Sequence, residues 1–152
     1  MKLAEALILR ADRKKRLEHL KERLGRVVKI QEGDQPAESP EALLQETDRA
    51  AADLTQLIKQ INRTNSSARL DDGRTIADTT ADRDEQRLRH TILGSVIQAA
   101  TIRQERFTKS EVRFQTTVNV GALQRQADDL AQAYRELDTK IQSANWLIDL
   151  LD

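Results

Sequence analysis

A run of apolar residues near the C-terminus constrains this chain more than any other feature. Val120, Leu123, Ala127, Leu130, Tyr134, Leu137, Ile141, Ala144, Ile148 and Leu151 follow one another at intervals of three and four. That spacing draws one stripe along an α-helix. A helix of roughly 30 residues reaches about 45 Å at 1.5 Å per residue. A stripe so long and narrow is covered by other helices, so the fold class expected is mainly α, with long antiparallel helices in a bundle and heptad packing. Near its end Trp146, Leu147, Leu150 and Leu151 widen the apolar face beyond one stripe.

The rest of the chain supplies the other helices. Residues 2–25 read as the first helix: Leu17, Leu20 and Leu24, continued by Val27, keep heptad spacing, preceded by a weaker stripe of Leu3, Ala6, Leu7 and Ala11. Gly25 permits a break, and the β-branched residues from Val27 to Ile30 have the composition of a short strand. A loop over 31–39 leads to Ser39-Pro40-Glu41, which combines an N-cap, a first-turn proline and an acid beside the helix dipole. The second helix, about 40–68, places Thr47, Ala51, Leu54, Ile58, Ile61, Asn65 and Ala68 on one stripe. Asn65 there needs a hydrogen-bond partner. A turn at Asp71-Asp72-Gly73 makes the third helix, about 76–106, an antiparallel neighbour of the second. The fourth runs over about 120–151, and the whole of 1–152 reads as a single helical domain.

Between the last two helices the period changes. Val112, Phe114, Val118 and Val120 share one parity, with Glu111, Arg113, Gln115 and Asn119 on the other, so a short β element is expected around 111–118. Its pairing strand is Arg106–Lys109 in a hairpin, Val27–Ile30, or the copy in another subunit.

Charge and composition exclude several functions. With 33% of residues charged, 38% apolar and 3% aromatic, aliphatic stripes must supply the packing. The formal net charge is zero but unevenly spread. Residues 1–30 hold ten Lys/Arg against four Asp/Glu, a local +6, and residues 31–62 hold two against seven, a local −5. No whole-protein field recruits nucleic acid or an acidic membrane. The absence of cysteine excludes disulfides and thiolate metal sites. The opening residues 1–9 are too short an apolar run for a signal peptide, and nothing approaches the roughly 20 apolar residues of a membrane span. A cytoplasmic protein without membrane contact is expected.

Several strings taken together resemble a known family. They are Ile61-Asn-Arg-Thr-Asn65, Asp72-Gly-Arg-Thr75, Arg83-Asp84, Ser110-Glu-Val-Arg-Phe114 and the stretch from Arg135 to Trp146, with Met1 to Leu7 and Gln31-Glu-Gly33. The resemblance is to small uncharacterised bacterial proteins often labelled septicolysin, and it covers nearly the whole chain. It implies no catalytic residues. The label implies pore formation, whereas the sequence contains neither an apolar helix nor a Trp-rich loop for insertion.

Three constellations are candidate sites. Asn62, Arg63, Thr64 and Asn65, with Asp72 and Arg74 across the turn, form a polar cluster able to hold a small polar ligand of unknown identity. The ordinary structural reading is that Asn65 pairs with its copy, or with Arg87, and fixes helix register. Asp78, Asp82 and Glu85 fall at i, i+4 and i+7, a carboxylate face that could hold Mg²⁺ for hydrolysis of a phosphorylated small molecule such as a nucleotide. Arg83 and Arg87 would make the same face a set of salt bridges, which is favoured. The third is the basic first helix, through Arg10, Arg13, Lys14, Lys15 and Arg16, as a nucleic-acid grip. It has no aromatic interleaving, and a neighbouring subunit is the favoured partner. His19 and His90 lie in no metal-binding spacing, no nucleophile motif or phosphate loop occurs, and no cofactor is expected. The leading expectation is an oligomeric helical scaffold or binding protein of unknown specific function, with a homo-oligomer as the expected partner state.

Overall fold

The computed structural model describes residues 1–101 and 114–152. Among them are four helices: α1 (Leu3–Val27), α2 (Pro40–Ser67), α3 (Ile76–Ala100) and α4 (Val120–Leu147). The protein is mainly α. Its contacts gather into two compact units, one of Met1–Ile76 with Gln142–Asp152 and one of Ala77–Ile141.

The first unit is built on α1 and α2, which pack side by side. Two ion pairs and a hydrogen bond set their direction. Arg23 binds Glu38 (Nε–Oε2 3.1 Å), Arg16 binds Glu46 at 3.0 Å, and Arg13 donates to the Asp53 carbonyl. Partners rise from Glu38, just before α2, along α2 to Asp53 as they fall along α1, so the helices are antiparallel. Two apolar clusters lie between them. Leu20, Val27, Leu43 and Ala50 close one end, with Leu17 and Leu24 packed against them. Leu3, Ala6, Leu57, Ile61 and Ile76 close the other, joined by Leu7, Leu70, Ile148 and Leu150. Helix ends follow local chemistry. Ser39 Oγ accepts from Ala42 N–H at 3.3 Å, with Pro40 in the first turn. Gly73 takes φ +84° in the turn before α3, where a side chain would be strained.

Three expectations need correction. First, α1 runs through Gly25 to Val27, and no strand follows, because Val27 is spent in the helix pair while Val28 and Ile30 stand in water. Second, the β element is not found in its described part. Residues 111–113 lie outside the described residues, and 114–118 make none of the β-bridges among the described residues. The Thr116 hydroxyl instead exchanges local hydrogen bonds with Val118, and Asn119 Oδ1 caps α4 by accepting from Ala122 N–H at 2.9 Å. Third, α3 ends at Ala100 and α4 at Leu147. Of the expected continuation of α3, 102–106 lies outside the described residues.

α4 ends early for a physical reason. After Leu147 the chain turns to pair with the start of α1. Leu3 N–H donates to the Ile148 carbonyl and Leu150 N–H to the Met1 carbonyl, both at 2.9 Å, forming an antiparallel bridge between Lys2 and Asp149. Lys2 Nζ reaches the Leu147 carbonyl and the Asp149 carboxylate, each at 2.9 Å. These bonds satisfy carbonyl groups that a helix end leaves open. The final residue engaged is Leu151, whose N–H donates to Thr64 Oγ1 at 2.9 Å.

In the second unit the apolar stripe of α4 holds. Ala127, Leu130 and Ile141 are buried, and Leu123, Tyr134 and Leu137 half-buried.

Two outcomes follow. Thr64→Val keeps the side chain's shape but removes the acceptor for Leu151 N–H. It should lower unfolding free energy by about 1–2 kcal/mol and speed amide exchange at the C-terminal segment, while Thr64→Ser keeps that exchange slow. The hydrogen bond and charge of Lys2 hold the Asp149 carboxyl below the usual aspartate range. A depressed folded value gives stability that is complete above the ordinary range and vanishes as pH falls through the folded value. The difference in urea midpoint between wild type and Asp149→Asn should therefore be largest near neutrality and close in strong acid. A gap independent of pH contradicts this account.

Candidate functional site

The polar turn between α2 and α3 resolves into separate jobs. The buried stripe of α2 is Leu43, Ala50, Leu54, Leu57, Ile61 and Thr64. Ala51, expected on it, faces water, while Ile58 and Asn65 sit half-buried on its flank. The buried polar residue is thus Thr64, at 0% exposure, and not Asn65. Its hydroxyl donates to the Gln60 carbonyl at 2.8 Å and accepts from Leu151 N–H. Both functions of the hydroxyl are used inside the chain.

The neighbours of Thr64 point elsewhere. Asn62 and Arg63 are exposed, and the Asn62 carbonyl accepts from Ser66 Oγ at 2.9 Å. Asp72 and Arg74 hold each other: the carboxylate accepts from Arg74 N–H and Nε, both at 3.1 Å, and from Nη2 at 2.7 Å. Arg69 Nη1 donates to the Gly73 carbonyl at 2.7 Å, and Leu70 N–H to the Arg74 carbonyl at 2.9 Å. The Asp-Gly-Arg segment is a stapled turn. Of the six residues, the structure brings Asp72 and Arg74 together and buries Thr64 against the C-terminal segment.

The carboxylate face of α3 is organised around arginine. Arg83 Nη1 binds Asp138 of α4 at 2.9 Å and Nη2 binds Asp84 at 2.9 Å. Burial works against the Arg83 charge, but the hydrogen bonds with Asp84 and Asp138 outweigh it, and its pKa is raised. Glu85 faces Arg89 at 3.6 Å, and Arg87 approaches Asp84 at 3.8 Å. Asp78 and Asp82 each have partners as well. Among the described residues no three His, Asp or Glu side chains gather in a metal-binding group. The i, i+4, i+7 spacing of Asp78, Asp82 and Glu85 strings the three along the helix without converging them.

The basic stretch of α1 is divided likewise. Arg13 and Arg16 are engaged with α2, while Arg10, Lys14 and Lys15 remain towards the surface. Antiparallel packing thus reaches further into 10–16 than charge placement alone suggests. Two features had no periodic signal in the sequence: the bridge of Lys2 with Asp149, and the burial of Thr79 and Asn145.

No helix among the described residues is long and apolar enough to cross a membrane. No curated protein matches the chain. It is similar to a solved structure from Corynebacterium diphtheriae, described as a functionally unknown conserved protein. The two share 37% identity over 99% of each chain, with a TM-score of 0.93. A family model described as a family of unknown function, DUF6847, matches residues 10–150, and the chain belongs to that family.

Proposed function

We propose that the protein is a homo-oligomeric helical scaffold or binding protein of the cytoplasm. The observation that carries this reading is the set of large apolar side chains left in water. On α3 these are Leu88, Ile92 and Val96, and around the end of α4 they are Trp146, Leu147 and Leu151, with Met1 also exposed. Trp146 is the chain's one tryptophan and is 56% exposed. Clustered exposed apolar groups mark interaction sites, and tryptophan is enriched among the residues that dominate binding energy.

The other two readings gain less support. A Mg²⁺-dependent hydrolase needs converging oxygen ligands, whereas Glu85 is paired with Arg89, and Arg83 and Arg87 gather on Asp84 beside the proposed ligands. Nucleic-acid binding through α1 would rely on Arg10, Lys14 and Lys15, since Arg13 and Arg16 are committed to α2.

Light scattering on the purified chain tests the proposal. The expected result is a mass of at least twice 17.3 kDa at micromolar concentration. A monomer across the range up to about 100 µM, a concentration at which a micromolar complex is nearly saturated, overturns it.

A further inference from the structure

Residues 148–152 leave α4 and lie as a strap across the start of α1 and the end of α2. The groove beneath them meets an extended backbone with fixed partners. Leu3 N–H donates to the Ile148 carbonyl, the Met1 carbonyl accepts from Leu150 N–H, and Thr64 Oγ1 accepts from Leu151 N–H. Between these bonds Lys2 Nζ holds the Asp149 carboxylate. Ile148 and Leu150 pack on the cluster of Leu3, Ala6, Leu57, Ile61 and Ile76. The groove therefore reads a pattern. It takes an apolar, an acidic and an apolar residue in extended form, followed by an N–H that reaches a buried hydroxyl.

The strap fills this groove loosely. Ile148 and Leu150 are half-buried, and the Asp149 side chain is 73% exposed. Met1, Trp146, Leu147 and Leu151, on the strap and beside it, stand in water. Large apolar groups left uncovered beside a groove mark an interaction site. The strap also has a competing conformation. Ile141, Ala144, Ile148 and Leu151 continue the helical spacing of three and four past the end of α4. Released from the groove, the segment regains hydrogen bonds by lengthening α4, and this offsets part of the loss. A resident with such an alternative gives way to a ligand more readily than one without.

We propose that the groove is a docking site for an extended segment of another protein, apolar–acidic–apolar–apolar in pattern, and that the chain's own strap occupies it as an autoinhibitory contact. The inference names a partner for the binding reading and rests on it, but it does not require self-association. The resident strap defines the chemistry. Backbone bonds to Met1, Leu3 and Thr64 supply affinity, while Lys2 and the apolar cluster select side chains. A basic residue in the acidic place would meet Lys2 with like charge. Proline would lack the N–H that the Met1 carbonyl or Thr64 receives. The strap of a second copy fits the pattern but lacks slack. Ala144 and Asn145, in the helical turn just before it, are buried, so it reaches a neighbour's groove only by unwinding α4. A segment of another protein has no such tether.

Fluorescence anisotropy of a labelled peptide, Trp-Leu-Ile-Asp-Leu-Leu-Asp, matching residues 146–152, tests the site on full-length proteins. Leu150→Ala loosens the strap and leaves the groove intact, so this variant should bind the peptide at least tenfold more tightly than wild type. Adding Thr64→Val removes the groove's acceptor and should weaken that binding again. A peptide with lysine in place of its first aspartate should bind weakly to every protein. Asp149→Asn loosens the strap at an exposed position, and it should also bind more tightly than wild type even if Leu150→Ala fails to fold. Equal binding by all the proteins, or none up to about 1 mM, overturns the groove. Wild-type dimers that dissociate as peptide is added would show a second copy's strap in the groove and overturn the choice of partner. A dimeric wild type whose variants bind no peptide overturns the groove alone. Peptide binding by a monomer in the expected order supports the groove and overturns the oligomeric reading.

Discussion

The first unit depends on one hydroxyl. Thr64 lies at the point where α2, the turn towards α3 and the C-terminal segment come together, and it is wholly buried. A buried hydroxyl costs stability unless its hydrogen bonds are made. Here it donates to its own helix and accepts from Leu151 N–H, so the cost becomes a tether. The tether draws Ile148 and Leu150 onto the cluster of Leu3, Ala6, Leu57, Ile61 and Ile76. The same segment pairs with the start of α1. The two ends of the described chain and the end of α2 are thereby held by a small group of mutually supporting bonds.

The remaining length of α1 and α2 is governed by charge as much as by apolar area. The local +6 of residues 1–30 faces the acidic early part of α2. Arg23 holds the Glu38 carboxyl below its usual range through a side-chain hydrogen bond. Exposed pairs of this kind are screened by water and contribute little to stability. Their role is direction: the ladder Arg23–Glu38, Arg16–Glu46, Arg13–Asp53 forms in antiparallel register. The aliphatic clusters at each end supply the energy, and the ladder selects the arrangement.

Periodicity made the four helices legible, and cap chemistry located the start of α2. The starts of α2, α3 and α4 agree with expectation because Ser39-Pro40, Gly73 and the Val120 stripe are local signals. The polar turn was harder to read. Leu57 and Ile58 are both apolar, and following Ile58 carries the stripe to Asn65, whereas following Leu57 carries it to Thr64. A one-residue choice in the middle of α2 therefore moved the buried polar group to the wrong side chain. The early end of α4 was illegible for a different reason. Leu150 and Leu151 continue a helical pattern, and their departure is caused by bonds to Met1 and Thr64, both far away along the chain, which no local pattern encodes. The spacing of Asp78, Asp82 and Glu85 along α3 does not reveal that Asp138 of α4 draws Arg83 across to it.

The two halves of α3 then stand in contrast. In the first, charged groups are paired: Arg83 with Asp84 and Asp138, Glu85 with Arg89. In the second, charge is absent and hydroxyls turn back on their own helix. A solvent-facing helix ordinarily spreads charge along its outer side, as the first half does. The second half has the composition of a covered helix while Leu88, Ile92 and Val96 remain open to water.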